Sequence, residues 1–88
     1  MSWSLQVAPS AERTLRRLPE RVAVAIVKFL VGTLVETPER VGKPLQRELS
    51  GYWSARRGAY RVVYRMLDDE HAVRVVRIEH RADVYRSH

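Results

Sequence analysis

The sequence predicts a small α+β domain in which a helical hairpin covers one face of an antiparallel-rich sheet. Three observations carry this reading. Apolar residues recur at helical spacing from Ala11 to Val35, and at a spacing of two in the runs Tyr60 to Leu67 and Val73 to Ile78. The strands of the second half are joined by short turns, which only antiparallel neighbours allow. The expected order is β-α-α-β-β-β, in one domain spanning residues 1–88.

Each element has its own warrant. Ser2 to Val7 alternates Trp3, Leu5 and Val7 with Ser4 and Gln6, a short opening strand. Pro9 and Ser10 start a helix with Ala11, Leu15 and Leu18 on one stripe. Glu12 lies in its first turn and Arg16 and Arg17 in its last, where the helix dipole favours them. Pro19 cannot donate a helical hydrogen bond, so it ends that helix and opens the next. The second helix is expected from Pro19 to Glu36. Arg21, Lys28 and Gly32 mark its polar side, and Val22, Ile26, Val27, Phe29, Leu30 and Leu34 the other. Val24, Val31 and Val35 widen the apolar arc past half the circumference, more than one sheet face requires. Part of this helix is therefore expected to meet the first helix or a partner.

Thr37-Pro38 ends the helix, and Glu39 to Ser50 reads as a connector containing Gly42 and Pro44. Strands follow at Tyr52–Arg56, Tyr60–Leu67 and Ala72–Glu79, separated by a turn at Gly58 and a polar turn at Asp68–His71. Tyr60 and Tyr64 share a strand face with Val62 and Met66 and are read as core. His71 and His88 are read as incidental.

Composition narrows the function classes. Eighty-eight residues bury only roughly 60–65% of their unfolded surface, and the 45% apolar content argues against disorder. The chain has no cysteine, which excludes disulfides and thiolate chemistry, and its three histidines are too scattered for a metal set. No metal or other cofactor is expected. The start Met1-Ser2-Trp3-Ser4 lacks the basic opening and apolar run of a signal peptide, and no stretch approaches ~18 apolar residues. A cytoplasmic protein without membrane contact is expected. The net charge of +6 is uneven: residues 1–39 hold five bases and four acids, residues 40–88 eleven and six. The bases lie on strand patterns, so the anionic partner they imply is nucleic acid rather than membrane.

The segments Lys43-Pro44-Leu45, Leu49-Ser50-Gly51, Ser54-Ala55-Arg56-Arg57-Gly58, Tyr60-Arg61-Val62-Val63-Tyr64 and His80-Arg81-Ala82-Asp83-Val84-Tyr85 stand in a fixed order along nearly the whole chain. In this order and spacing the chain resembles the RelE/ParE superfamily of type II toxin–antitoxin toxins, with its nearest likeness among the RelE-like toxins of actinobacteria. The resemblance implies the small RelE-like fold and a ribosome-dependent, metal-independent mRNA endonuclease acting in the ribosomal A site. It also implies a cognate RelB-like antitoxin as partner. The family's strand arginine falls on Arg61, its arginine after the last strand on Arg81, and its C-terminal aromatic on Tyr85. The two strand lysines of the best-studied RelE enzymes fall on Tyr52 and Ser54, which leaves the usual activator of the 2′-hydroxyl missing.

Metal-free RNA cleavage needs a proton taken from the 2′-hydroxyl, stabilisation of a dianionic phosphorane, and a proton given to the leaving 5′-oxygen. Arginine suits the second task, because its planar fork donates bidentately to phosphate and stays charged. Arg61 and Arg81 are the candidates; the competing reading gives them to salt bridges with Glu79 and Asp83. His80 is the only histidine near these residues and can serve as the base, or merely cap the strand edge. Tyr85 can stack on a base, deliver a proton, or plug the core. Lys43, Arg47, Arg56 and Arg57 are read as contacts to ribosome or mRNA backbone. Two other functions stay open: a ParE-like toxin acting on gyrase, and a non-enzymatic RNA-binding module.

Overall fold

The chain runs β1 (Ser4–Val7), α1 (Pro9–Arg17), α2 (Glu20–Phe29), α3 (Pro38–Val41), β2 (Lys43–Pro44), β3 (Trp53–Arg57), β4 (Tyr60–Leu67) and β5 (Ala72–His80). This is a computed structural model that describes residues 2–82. The strands form one mixed sheet in the order β1-β5-β4-β3-β2. The α+β reading and the helical hairpin on one face are found. The opening strand, however, returns beside the last one and pairs with it in parallel, Leu5 against Val73 and Val7 against Val75, while the other three pairings are antiparallel. A chain that leaves β1 through two helices can re-enter the sheet in either sense, so local patterning could not decide this.

One apolar cluster joins the layers: Ala11, Ile26, Leu30 and Leu34 from the helices meet Ala55, Val62, Tyr64, Val73, Val75 and Ile78 from the sheet. Fully burying each aliphatic side chain contributes about 1.5–3 kcal/mol. Ile26, Leu30 and Leu34 sit four residues apart, a spacing that drifts by about 40° per step in an α-helix. A π-helical turn at Leu30–Leu34 continues α2 and counteracts that drift, so all three stay on the core face. The same winding leaves Val24, Val27 and Val31 exposed. The excess apolar arc expected from sequence is thus open among the described residues.

The expected connector after Pro38 is more ordered than its composition implies. It folds into α3, the two-residue edge strand β2 and a short 3-10 turn at Arg47–Leu49. Gly42 explains how β2 comes so close to the sheet: a Cβ there would overlap the Tyr64 hydroxyl and lie 2.9 Å from the Ser54 carbonyl oxygen. The Tyr64 hydroxyl donates to the Pro38 carbonyl at 2.6 Å, which ties β4 to α3. Tyr64 is fully buried, as read from sequence, and burial pushes its phenol up to about 12.

Tyr60 packs against the core cluster, as expected, without joining its fully buried members. It is only half-buried at the foot of β4 and meets the His80 ring edge-on, centroids 5.0 Å apart. The register between β4 and β5 slips at Val63/Tyr64, where Val63 faces Arg77 and Tyr64 faces Val75. This bulge leaves Val76 of β5 unpaired in the ladder, and Val62, Val63 and Tyr64 of β4 are all buried. His71 lies in the expected turn and has a structural place there. It takes a left-handed conformation (φ 51°) that closes the β4–β5 turn, and its ring stacks on Trp3 at 4.2 Å.

Candidate functional site

The hairpin of β3 and β4 builds the floor of the site. Ala55 and Val62 point into the core, so their neighbours Ser54, Arg56 and Arg61 point the other way. The register sets Arg56 directly opposite Arg61. A two-residue turn joins the strands, and Gly58 at its first position has φ +60°, as a type II′ turn demands. On one side β2 adds Lys43, paired with Ser54. On the other, Arg81 follows the end of β5, and its backbone N–H donates to the Ala59 carbonyl at 2.7 Å, tying it to the hairpin tip.

These pieces surround a cleft of about 530 Å³. Among the described residues four cations line it, Lys43, Arg56, Arg61 and Arg81, with Ser54 and Tyr60 as the polar uncharged groups and no carboxylate. Like charges directly opposite each other on a sheet are destabilising, so the Arg56–Arg61 pair is a cost that folding alone does not explain. Glu79 partly offsets it. Its Oε1 accepts from Arg61 Nε (3.2 Å) and Nη2 (2.8 Å), and its Oε2 accepts from Arg77 Nη1 (3.1 Å). The ion pair with Glu79 weighed from sequence therefore exists, and Arg61 lines the cleft as well. The arrangement can hold a polyanion, with guanidinium groups converging from two strands and the end of a third.

The residues expected from sequence separate into groups. Arg61, Arg81, Lys43 and Arg56 come together in the cleft. Arg57 points to the helix side and borders a second groove with Glu20, Arg21 and Lys28. Arg47 lies in the 3-10 turn with φ 60° and is exposed, outside the cleft lining. His80 shares the face of Ile78, and its Nδ1 accepts the Ala82 backbone N–H at 3.0 Å; it does not line the cleft. Tyr85 and Asp83 lie outside the described residues. Sequence reading did not place Tyr60 at the cleft, and it weighed Glu79 only as a competitor for Arg61. Counting the β4–β5 register from the hairpin would have placed Glu79 beside Arg61.

Among the described residues no three His, Asp or Glu side chains gather where a metal ion could be held. No described helix is long and apolar enough to cross a membrane.

A small mixed sheet with a helical hairpin behind it agrees in fold with known proteins. A family model described as the ParE toxin of the type II toxin–antitoxin system parDE matches residues 5–85, and the chain belongs to that family. Within it the chain is RelE-like. It is 51% identical to toxin RelG of Mycobacterium tuberculosis over 98% of this chain and 99% of that protein. It is 45% identical to toxin RelE of the same organism, covering 96% of this chain and 87% of that one. The solved M. tuberculosis toxin–antitoxin complex RelBE2 contains a chain with TM-score 0.88 and 44% identity, covering 92% of this chain and 100% of that chain.

Proposed function

We propose that this RelE-like toxin is a ribosome-dependent mRNA endonuclease that cuts mRNA in the A site and so halts translation in the cytoplasm. The observation that carries the reading is the cleft itself, where Lys43, Arg56, Arg61 and Arg81 converge with no carboxylate among the described lining residues. The reaction is an attack of the ribose 2′-oxygen on the adjacent phosphorus. Arg61 and Arg81 stabilise the charge that develops on the phosphorane, and Arg56 holds the flanking backbone. Arg61 is pre-set for this task, because Glu79 occupies Nε and Nη2 and leaves Nη1 outside the pair. Tyr85 stacks on a neighbouring base or protonates the leaving oxygen. The cleft is shallow and exposed, so it gains from a substrate already bent and held by a larger machine.

The cognate partner is an acidic, RelB-like antitoxin that folds on binding. The exposed stripe of Val24, Val27 and Val31 and the basic second half are surfaces that such a chain would cover. The second reading, gyrase inhibition, is favoured by the description of the matching family, which names the ParE toxin.

The test is primer extension on translated mRNA with purified ribosomes. Cuts inside A-site codons, with naked RNA nearly untouched, are expected. Efficient cutting of naked RNA would point to a free-standing ribonuclease. Blocked gyrase supercoiling without mRNA cuts would give the ParE-like answer. Expressed alone the protein should arrest growth, and co-expression with an acidic neighbouring gene product should relieve it.

A further inference from the structure

The cleft contains three arginines and one lysine, and the difference between the two residue types matters. An arginine guanidinium stays protonated at any working pH and cannot act as a base, whereas a lysine amine can give up its proton and take one back. Among the described residues lining the cleft, Lys43 and Tyr60 are the two whose side chains can exchange a proton on that account. Tyr60 is half-buried and packed edge-on against His80. His80 stands outside the lining, with Nδ1 engaged by the Ala82 amide.

Lys43 is exposed, yet its backbone is held more firmly than a solvated surface lysine requires. On one side stands Gly42, where any Cβ would overlap the Tyr64 hydroxyl. On the other stands Pro44, paired with Trp53, and then Leu45, whose N–H donates to the Tyr52 carbonyl at 2.8 Å. Lys43 faces Ser54 in the ladder, so Arg56 is its diagonal neighbour, with Cβ atoms about 7–8 Å apart.

Resting on the endonuclease reading, we propose that Lys43 is the group that removes the proton from the attacking 2′-hydroxyl. The neutral amine takes that proton as the bond between the 2′-oxygen and phosphorus forms. The bond from phosphorus to the 5′-oxygen breaks, and that oxygen takes a proton from water or from Tyr85. The products are a 2′,3′-cyclic phosphate and a 5′-hydroxyl, and the ammonium returns its proton to solvent. Among the described residues the charged groups that share the cleft with Lys43 are Arg56 of β3, Arg61 of β4 and Arg81 beyond β5, the titratable neutral one is Tyr60, and no acid is in the lining.

The test is single-turnover cleavage of A-site mRNA at saturating toxin, measured across pH, with ribosome pelleting to report binding. Wild-type rate should rise with pH, as a reaction that needs an unprotonated base does. Lys43→Ala and Lys43→Arg should both lose ~10²–10⁴ in rate, and Lys43→Arg should still bind ribosomes. The chain contains no cysteine, so Lys43→Cys can be aminoethylated at that one position. The restored, less basic amine should recover cleavage with its pH limb moved to lower pH. Recovery of the rate by Lys43→Arg would make Lys43 a simple phosphate contact and overturn the assignment. So would a Tyr60→Phe protein that alone loses the pH limb. If the wild type cuts no ribosome-bound mRNA, the endonuclease reading fails first and the assignment with it.

Discussion

Glu79 holds Arg61 side-on: one carboxylate oxygen accepts from both Nε and Nη2, at 3.2 and 2.8 Å, while the other is taken by Arg77. The repulsion between Arg61 and Arg56 across the hairpin is thus balanced from the β5 side. The pair fixes the direction of the guanidinium without closing it off, since the Arg61 side chain keeps 32% of its surface exposed.

This relationship predicts the behaviour of Glu79→Gln. The fold should persist, because a part-exposed pair of this kind contributes at most about 1 kcal/mol. Cleavage should fall by up to about 10² through loss of aim rather than loss of charge. A thermal melt and a single-turnover rate on the same preparation separate the two effects. An unchanged rate would show that Arg61 needs no positioning by Glu79.

Arg61→Ala and Arg81→Ala should each reduce cleavage by ~10²–10³, the usual effect of removing a donor to developing oxyanion charge, while antitoxin binding survives. Arg47→Ala and Arg57→Ala change cations that lie outside the cleft lining. They should alter the salt dependence of ribosome binding and leave the rate of the bound toxin nearly intact. Tyr85→Phe separates stacking from proton donation: a retained rate assigns the ring, a lost one the hydroxyl.

Tyr64→Phe should destabilise the fold by about 1–3 kcal/mol, because the Pro38 carbonyl loses its 2.6 Å donor in a buried setting. The pH dependence has a definite sign. The phenol ionises near 10 in the unfolded chain and near 12 in the folded one, so its contribution is complete below pH 10 and is lost as pH rises from 10 to 12. Denaturant melts should show the wild type losing roughly 2–3 kcal/mol more than Tyr64→Phe across that interval. Parallel curves would mean that Tyr64 is less shielded than its burial implies.

Gly42→Ala should act on both stability and function. The added methyl meets the Tyr64 hydroxyl and the Ser54 carbonyl, and relief of such overpacking typically costs about 1–3 kcal/mol. Because β2 must shift to make room, the variant should lose more cleavage activity than its melting curve accounts for. Activity falling only in step with stability would remove β2 from the site.

The sequence alone determined the layers. The helical stripe through Ile26, Leu30 and Leu34, the proline breaks at Pro19 and Pro38, and the two-residue period of Tyr60 to Leu67 are local signals, set by side chains within a few residues of each other. They suffice to say that Arg56 and Arg61 lie on strands joined at Gly58, and the resemblance to RelE/ParE toxins needed little more. Other relationships depend on residues distant in sequence. The parallel seat of β1 beside β5, the bulge that leaves Val76 unpaired, and the docking of β2 through Gly42 are decided by how whole elements pack. For that reason Lys43 looked like a backbone contact no different from Arg47 and Arg57, and Glu79 like a competitor for Arg61. Only the tertiary structure brought Lys43 into one cleft with Arg56, Arg61 and Arg81 and set Glu79 beside Arg61, because register between strands, not spacing along the chain, decides which charges face each other.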